Sequence, residues 1–222
     1  MQNNTHFSKK NKDYEAYWKD RIGRNRTYIT PIHRKILELV SKIAKPGSAV
    51  LDLGVGPGHV FRELQKDYKV YGAEISTTVF DLYDFPTENI KHVDLEKEMP
   101  AFDGNPNFSV IIASHIIHHF DDPLAFLRRV KEKMDSNTRL LVATPNTVFI
   151  NYRIKYLLLA QFPDLSRAHV NYLTPREYRK LFEEAGLEIE TFAGIKHYPL
   201  LVLSTIFPSL FSQTLFFVVK KV

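Results

Sequence analysis

The chain contains no cysteine in its 222 residues. This absence excludes disulfide frameworks, thiolate metal sites and cysteine nucleophiles together. The amino terminus is polar and lacks the apolar core of a signal peptide, so secretion is not expected and a cytoplasmic location is predicted. Glycine occurs only nine times, which makes a cluster of three at alternate positions (Gly54, Gly56 and Gly58) informative.

Length and composition favour one α/β domain. The chain is long enough for a full core and short for two independent ones, and its hydrophobic content of 44% is ordinary. We therefore predict a single domain over residues 1–222. Residues 1–12 are predicted to be disordered because they are rich in Asn, Ser and Lys. Residues 13–44 are predicted to form amino-terminal helices, and residues 146–173 a lid over the substrate.

The net charge of +5 is spread along the chain. Much of the basic character is interleaved with acids, as on solvated helix faces, and no nucleic-acid partner is expected. Arg21 and Arg24 belong to the densest basic group. They suit bidentate pairing with a carboxylate, although a solvated helix face explains them as well.

The segment from Val50 to His59 has the pattern of a turn that binds a nucleotide-like cofactor. An apolar strand containing Asp52 precedes the three glycines, and a helix is predicted to begin at His59. Glycine lets the backbone adopt positive φ and approach a ligand closely, and the N–H groups at a helix start suit an anionic or electron-rich group. A dinucleotide fingerprint is G-x-G-x-x-G, whereas here the third glycine comes one residue early. This spacing disfavours a nicotinamide oxidoreductase.

The same spacing, with an acid two residues before the first glycine, resembles the first motif of the class I S-adenosylmethionine-dependent methyltransferases. Four further segments follow in the order typical of that family: strands at residues 70–74, 108–115 and 139–145, and a stretch at residues 92–95 that resembles the family's third motif. The resemblance covers roughly residues 45–195. It implies a Rossmann-like α/β fold: a seven-stranded mixed sheet, mostly parallel with an antiparallel final strand, and helices on both faces. It also implies S-adenosyl-L-methionine as the cofactor.

The resemblance further implies which residues contact that cofactor. A carboxylate at Glu74 suits the two ribose hydroxyls, since it can accept both hydrogen bonds, and the acid at Asp94 is typical of contact with the adenine amino group. A single acid at a strand end more often caps the next helix, but three at successive strand ends favour the cofactor. The predicted cofactor-binding residues are Asp52, Gly54, Gly56, Gly58, Glu74, Asp94, Leu95 and Ser114.

Three histidines lie within five residues after the fourth strand, where ligands meet open α/β sheets. In the resembling enzymes this stretch lies near the transferred methyl group, and histidine is the side chain best matched to base catalysis at neutral pH. His119 and His115 are the predicted catalytic residues. The structural alternative is that His119 caps or packs beneath the loop while His118 faces solvent. A zinc site is a third interpretation, disfavoured because no partner acid stands at ligand spacing, and no metal is predicted.

The acceptor is less well defined than the donor. The chain lacks the Asp/Asn-Pro-Pro-Tyr/Phe run typical of enzymes that methylate amines of DNA or glutamine, and it is more similar to ubiquinone-biosynthesis and other small-molecule O-methyltransferases. It differs from the ubiquinone enzymes, which commonly carry glutamates where His115 and His118 stand. We predict methyl transfer to oxygen of a small-molecule or glycan/lipid-linked acceptor, contacted by Arg167 and His169. N-methylation and a non-catalytic cofactor-binding protein are the alternatives.

Capping signals predict several helices. Thr30-Pro31 and Asp122-Pro123 each combine an N-cap with proline at the first helical position, and Thr174 with Glu177 forms a capping box. A further helix is predicted over residues 76–83.

The run from residue 199 to 219 is apolar and long enough to cross a membrane. Pro208 divides it and polar residues interrupt it, so we predict a sixth strand over residues 188–192, an apolar turn, and a seventh strand over residues 213–220. A peripheral membrane contact by residues 200–211 is the alternative for this turn.

Overall fold

The computed structural model describes residues 15–16, 18–19, 29–159, 171, 173–195 and 201–222. The chain divides into two compact units, Met1–Ile111 and Ile112–Val222. The single domain remains a prediction. The predicted disorder of residues 1–12, the two arginines at 21 and 24, and the predicted substrate residues Arg167 and His169 lie outside the described residues.

The first unit is built on three parallel strands. Its elements are α1 (Pro31–Ile43), β1 (Ala49–Leu53), α2 (His59–Leu64), β2 (Lys69–Glu74) and β3 (Ile90–His92). β1 pairs with β2 so that Asp52 lies opposite Gly72, and β2 pairs with β3 so that Glu74 lies opposite His92. Because the strands are parallel, their carboxyl ends share one edge, and the acids of β1 and β2 are placed there.

The second unit combines helices with an antiparallel strand group. β4 (Phe108–Ser114) crosses the boundary between the units, and α3 (Pro123–Glu132), β5 (Arg139–Pro145), α4 (Ile150–Leu159), α5 (Pro175–Glu184), β6 (Leu187–Gly194), α6 (Leu201–Ile206), α7 (Pro208–Phe211) and β7 (Thr214–Lys221) follow. β7 pairs antiparallel with both β5 and β6. At one edge Pro145 lies opposite Thr214, so α4 and the α6–α7 connection leave the sheet beside each other.

The strands form one seven-stranded sheet in the order β3-β2-β1-β4-β5-β7-β6. The predicted mixed sheet, mostly parallel with an antiparallel final strand, is confirmed. The capping predictions are also confirmed: α1 begins after Thr30, α3 after Asp122 and α5 after Thr174, and each cap side chain accepts a backbone N–H. Among the described residues, no helix has the length and apolar character needed to cross a membrane.

The predicted helix over residues 76–83 is wrong. Only a single 3₁₀ turn, Phe80–Leu82, forms there. The β-branched residues Thr77, Thr78 and Val79 disfavour a helix, and Tyr83 adopts an extended conformation that turns its side chain away from a continuing helix.

The predicted turn before the last strand contains two short helices, α6 and α7. Phe207 links them, since its N–H donates to the carbonyl of Leu203 at 2.7 Å. Pro208 then occupies the first position of α7, where its missing N–H costs nothing. Pro208, which divides the apolar run, therefore begins helix α7 and does not leave this part of the run as an irregular turn.

Candidate functional site

The glycine turn is tied to the second strand. The backbone N–H groups of Gly54 and Val55 both donate to the carbonyl of Ala73, at 2.8 and 3.2 Å. This anchor continues the pairing of β1 with β2 beyond the end of β1. The turn is thereby fixed at the carboxyl edge of the first unit's strands.

All three glycines adopt positive φ, with values of 77° at Gly54, 53° at Gly56 and 77° at Gly58. Gly58 is the N-cap of α2, and a Cβ there would lie 2.5 Å from an atom of the Phe85 ring. A Cβ on Gly56 would lie 3.4 Å from the Trp18 ring. The alternate spacing of glycine in the sequence therefore reflects left-handed backbone at each position and close approach of aromatic rings at two of them.

The carboxylate of Glu74 stabilises the glycine turn by accepting backbone hydrogen bonds. One oxygen accepts the N–H groups of Ile75 and Ser76, each at 2.9 Å, and the other accepts the N–H of Gly56 at 2.7 Å. The side chain is buried, and burial raises its pKa even though these three hydrogen bonds act in the opposite direction. The acid predicted to bind ribose thus also supports the backbone of the glycine turn.

Asp52 forms a buried acidic pair with Glu74. Its side chain is only 3% exposed, and burial, followed by the charge of Glu74, raises the pKa of Asp52 to about 8. Among the described residues, neither acid is joined to a basic side chain by an ion pair. A nearby positive charge would favour the ionised form of both acids, so this buried acidic pair beside a glycine turn favours a cationic ligand.

Tyr83 completes the support of the turn. Its hydroxyl donates to the carbonyl of Gly56 at 2.7 Å. Burial, then the charges of Glu74 and Asp52, raise the pKa of Tyr83, so it is a hydrogen-bond donor at neutral pH. The N–H and the carbonyl of Gly56 are therefore both held by side chains from beyond β1.

The third predicted acid lies after β3. Asp94 is 8% exposed, accepts the N–H of Glu96 at 3.0 Å and pairs with Lys97 at 3.3 Å. The N–H of Val93 donates to the carbonyl of Glu74 at 3.0 Å, which keeps the two acidic strand ends adjacent. Leu95 is buried beside them.

A piece of the amino-terminal segment lies against this unit. The carboxylate of Glu15 accepts the backbone N–H of Thr77 at 2.6 Å and that of Thr78 at 2.9 Å, and it also contacts both hydroxyls. Although partial burial acts against it, these hydrogen bonds lower the pKa of Glu15. With Trp18 next to Gly56, the segment contacts the glycine turn and the residues that follow β2.

The predicted catalytic histidines lie in a bent segment of the second unit. Ser114 ends β4, and His115 has a φ of 56°, a left-handed value that is uncommon outside glycine. The N–H of His115 donates to the carbonyl of Ala143 at 2.8 Å, and the 3₁₀ turn Ile117–His119 follows. Ring centroids lie 4.2 Å apart for His118 and His119, and 6.0 Å apart for His115 and His118. The structure thus brings the three imidazoles together.

His118 is buried, at 3% exposure, whereas His119 is half-buried. The structural alternative that puts His118 in solvent is therefore wrong, because its ring packs between its two histidine neighbours. Asn171 fixes the segment from the predicted lid: its N–H donates to the carbonyl of His118 at 3.0 Å and its side-chain amide donates to Phe120. Within the described parts of the chain, no group of three or more His, Asp or Glu side chains is arranged to hold a metal ion.

Three contacts, two in the first unit and one in the second, were not predictable from local pattern: Tyr83 on Gly56, Glu15 on Thr77 and Asn171 on His118. Tyr83 falls within the region where a helix is predicted, and a helix would have pointed its hydroxyl elsewhere. For Asn171 the only signal is its place in the predicted lid. Glu15 has no signal, since 62 residues separate it from its partner.

Comparison with known proteins identifies the family. A protein-family sequence model, described as a methyltransferase domain, matches residues 17–191 of this chain. A ubiquinone biosynthesis O-methyltransferase of Pseudoalteromonas translucida is 24% identical over 159 residues, covering 68% of this chain and 67% of that protein. A protein of the same name from Azorhizobium caulinodans is 26% identical over 102 residues, covering 44% of this chain and 40% of the relative.

Solved structures share the fold. Magnesium protoporphyrin IX methyltransferase from Synechocystis, with bound SAH, superposes with a TM-score of 0.66 at 14% identity, covering 97% of this chain and 99% of that one. A TehB-like SAM-dependent methyltransferase from Corynebacterium glutamicum gives 0.61 at 17% identity, with coverages of 97% and 100%. The chain therefore belongs to the methyltransferase domain family, which confirms the class I S-adenosylmethionine-dependent methyltransferase predicted from the glycine spacing and the three acids.

Proposed function

We propose that this methyltransferase transfers the methyl group of S-adenosyl-L-methionine to an oxygen atom of a small-molecule or glycan/lipid-linked acceptor, in the cytoplasm, with His119 as general base. One observation carries the donor half of the proposal. Gly56 has positive φ, its N–H is bound by Glu74, and its carbonyl is bound by Tyr83. Such a turn presents backbone to a ligand in a fixed conformation.

The acids around the turn suit this donor. S-adenosyl-L-methionine carries positive charge on sulfur and on its amino group, and a nearby cation stabilises buried carboxylates such as Asp52 and Glu74. Of about four acceptor positions on the Glu74 carboxylate, backbone N–H groups occupy three, which leaves room for a ribose hydroxyl. We assign the donor to Asp52, Gly54, Gly56, Gly58, Glu74, Asp94, Leu95 and Ser114.

The donor supplies a methyl group already activated on sulfur, so alignment of the acceptor accounts for much of the rate. The remaining task of the chain is to hold the acceptor and remove its proton. As the acceptor oxygen bonds to the methyl carbon and the carbon–sulfur bond breaks, the hydroxyl proton passes to a ring nitrogen of His119. His115 is the second candidate for this role.

The second unit provides support for a fixed base. The backbone of His115 is bound to Ala143, and the N–H of His119 donates to the carbonyl of Ile116 at 2.9 Å. The ring of His119 packs against that of His118, which limits its rotation. The O-methyltransferase names of the sequence relatives favour oxygen over nitrogen as the atom methylated.

We further propose that Arg167 and His169, which lie outside the described residues, contact the acceptor. Asn171 follows them closely and is bonded to the histidine segment. The lid region is thereby attached to the segment that carries the proposed base. An arginine in this region suits an anionic group on the acceptor.

The test of the proposed base uses separate His119→Gln and His115→Gln variants. Methyl-labelled donor is first incubated with the wild-type protein and extract of the source cells, and the labelled product is identified by mass. Each variant is then assayed with that product's precursor, while calorimetry with S-adenosylhomocysteine measures the donor site. We expect His119→Gln to lose about 10²-fold or more in turnover with unchanged affinity for S-adenosylhomocysteine.

Unchanged turnover in both variants would remove the base from the proposal. Label in a nitrogen atom, in protein or in RNA would contradict the acceptor class. Absence of S-adenosylhomocysteine binding would contradict the donor itself.

A further inference from the structure

Large apolar side chains are exposed together on two segments of the second unit. Among the described residues, eleven large hydrophobic side chains are exposed, and nine of them lie on α4 and on α6 with the residue that follows it. We call these nine the apolar surface: Ile154, Tyr156, Leu157, Leu158, Leu159, Val202, Leu203, Ile206 and Phe207. Single exposed hydrophobics are ordinary, but nine on two short segments favour an interaction site.

The two segments are joined at their base. The side-chain amide of Asn146, at the end of β5, donates to the carbonyls of Ser209 and Ser212 at 2.8 and 2.6 Å. Gln213 donates to the hydroxyl of Tyr152 on α4 at 3.2 Å. Because Pro145 and Thr214 also pair across β5 and β7, α4 and the α6–α7 connection emerge beside each other from one sheet edge.

The charged side chains on the two segments that carry the apolar surface are all basic. Arg153 and Lys155 on α4 are exposed, and neither residues 146–159 nor residues 201–213 contain an acid. Arginine and lysine can extend their charged ends past apolar neighbours toward a polar layer. Tyr156 adds an aromatic ring with a polar tip, the kind of side chain enriched at membrane–water interfaces.

We propose that the apolar surface docks on an anionic lipid bilayer, and, resting on the proposed function, that the acceptor is a lipid-linked or lipid-soluble molecule taken from that bilayer. α4 has ten residues, about 15 Å of helix, which is too short to span a bilayer. Anionic headgroups complement Arg153 and Lys155. A second copy of the chain would instead bring like charges together across a symmetric contact.

The position of the surface suits delivery of an acceptor. β5 leads from Ala143, which binds the N–H of His115, to Pro145 at the base of α4. Within the second unit, the histidine segment and the start of α4 therefore both lie at the carboxyl end of β5. An acceptor anchored in the bilayer would be presented at that edge.

The experiment is vesicle flotation of the whole chain. Vesicles of phosphatidylcholine with phosphatidylglycerol are compared with vesicles of phosphatidylcholine alone. The tested variants are Leu157→Glu combined with Leu158→Glu, and Arg153→Gln combined with Lys155→Gln. The matched control is Val222→Glu, since Val222 and Leu157 are both 79% exposed but Val222 lies outside the apolar surface.

We expect the wild type and Val222→Glu to float with the anionic vesicles. The double leucine variant should lose about a hundredfold in partitioning, because each of the two buried leucines contributes roughly tenfold, and the double cation variant should lose its preference for phosphatidylglycerol. Failure of the wild type to bind, or equal loss in Val222→Glu, would overturn the proposal. So would a dimer in solution that the leucine substitutions dissociate.

Calorimetry with S-adenosylhomocysteine on the same variants separates the two proposals and checks their folding. Intact cofactor binding with no flotation would overturn the membrane inference alone. Flotation without cofactor binding would overturn the proposed function and leave the docking surface standing.

Discussion

The hydroxyl of Tyr83 donates a hydrogen bond to the backbone carbonyl of Gly56 over 2.7 Å, from 27 residues further along the chain. On the other side of the same residue, the N–H of Gly56 donates to Glu74. The two peptide groups that flank the α-carbon of Gly56 are thus fixed by two side chains, one from β2 and one from the segment after it. The conformation of the cofactor turn depends on residues outside its own motif.

Removing the hydroxyl of Tyr83 tests this dependence. Tyr83→Phe keeps the ring and deletes one hydrogen bond, worth about 1 kcal/mol, so we expect roughly fivefold weaker binding of S-adenosylhomocysteine by calorimetry. Tyr68→Phe is the matched control, because the Tyr68 hydroxyl also donates to a backbone carbonyl, that of Ala44 at 3.4 Å, away from the turn. Equal affinity losses in the two variants would contradict a specific role for Tyr83.

A second prediction concerns the space and backbone at Gly56. Gly56→Ala places a Cβ 3.4 Å from Trp18 at a φ of 53°, and we expect loss of S-adenosylhomocysteine binding with a lower Tm. Gly104→Ala is the control, since Gly104 also has positive φ but nothing within 4 Å of its Cβ position. Both variants carry the left-handed backbone penalty of about 1–2 kcal/mol. If Gly104→Ala weakens binding as much, the effect is general destabilisation.

The parts of the site that could be predicted from sequence are those encoded locally. The positive φ values follow from glycine spacing, and the burial of Asp52 and Glu74 follows from their places near the ends of β1 and β2. The helix N-cap at Thr174 could likewise be predicted, because its partner Glu177 is three residues away. In each case the residues that determine the conformation are neighbours in the chain.

The parts that could not be predicted depend on distant partners. Residues 76–83 carry a helix-compatible pattern, yet Tyr83 is drawn to Gly56 and the β-branched residues before it weaken the helix. The two short helices α6 and α7 lack the length for a clear periodicity, and the side chain of Asn146, over sixty residues away, ties their end to the sheet. Tertiary contacts decide these elements.

The acidic pair predicts how stability depends on pH. In the folded protein Asp52 keeps its proton up to about pH 8, whereas an ordinary aspartate in the unfolded chain releases it near 3.8. The folded state therefore binds more protons between these values, and the free energy of unfolding falls as pH rises through this window. Asp52→Asn removes the proton uptake, so we expect a flatter profile in denaturant titrations of the ligand-free protein.

Asp135 provides the control for this profile. Hydrogen bonds, led by the N–H of Asn137, lower the pKa of Asp135, so its contribution is complete at the acidic end of the window. Asp135→Asn should leave the slope above that end unchanged. Parallel profiles for the wild type and Asp52→Asn would show that Asp52 does not carry the raised pKa.

The last prediction uses Trp18 as a reporter, since it is the only tryptophan in the chain. Its ring lies next to Gly56, and Glu15 in the same short segment accepts the N–H groups of Thr77 and Thr78. S-adenosylhomocysteine bound at the turn should therefore change the fluorescence of Trp18. Glu15→Gln replaces a carboxylate by an amide with a single acceptor oxygen, so we expect a smaller fluorescence change and roughly fivefold weaker binding.

Glu38→Gln is the comparison for Glu15→Gln. Glu38 lies on α1 and pairs with Lys35 and Lys42 at an exposed position, where such pairs contribute little. We expect its fluorescence titration to match that of the wild type. A full fluorescence change in Glu15→Gln would mean that the contacts to Thr77 and Thr78 do not hold Trp18 at the turn, and the amino-terminal segment would then have to be anchored by other residues.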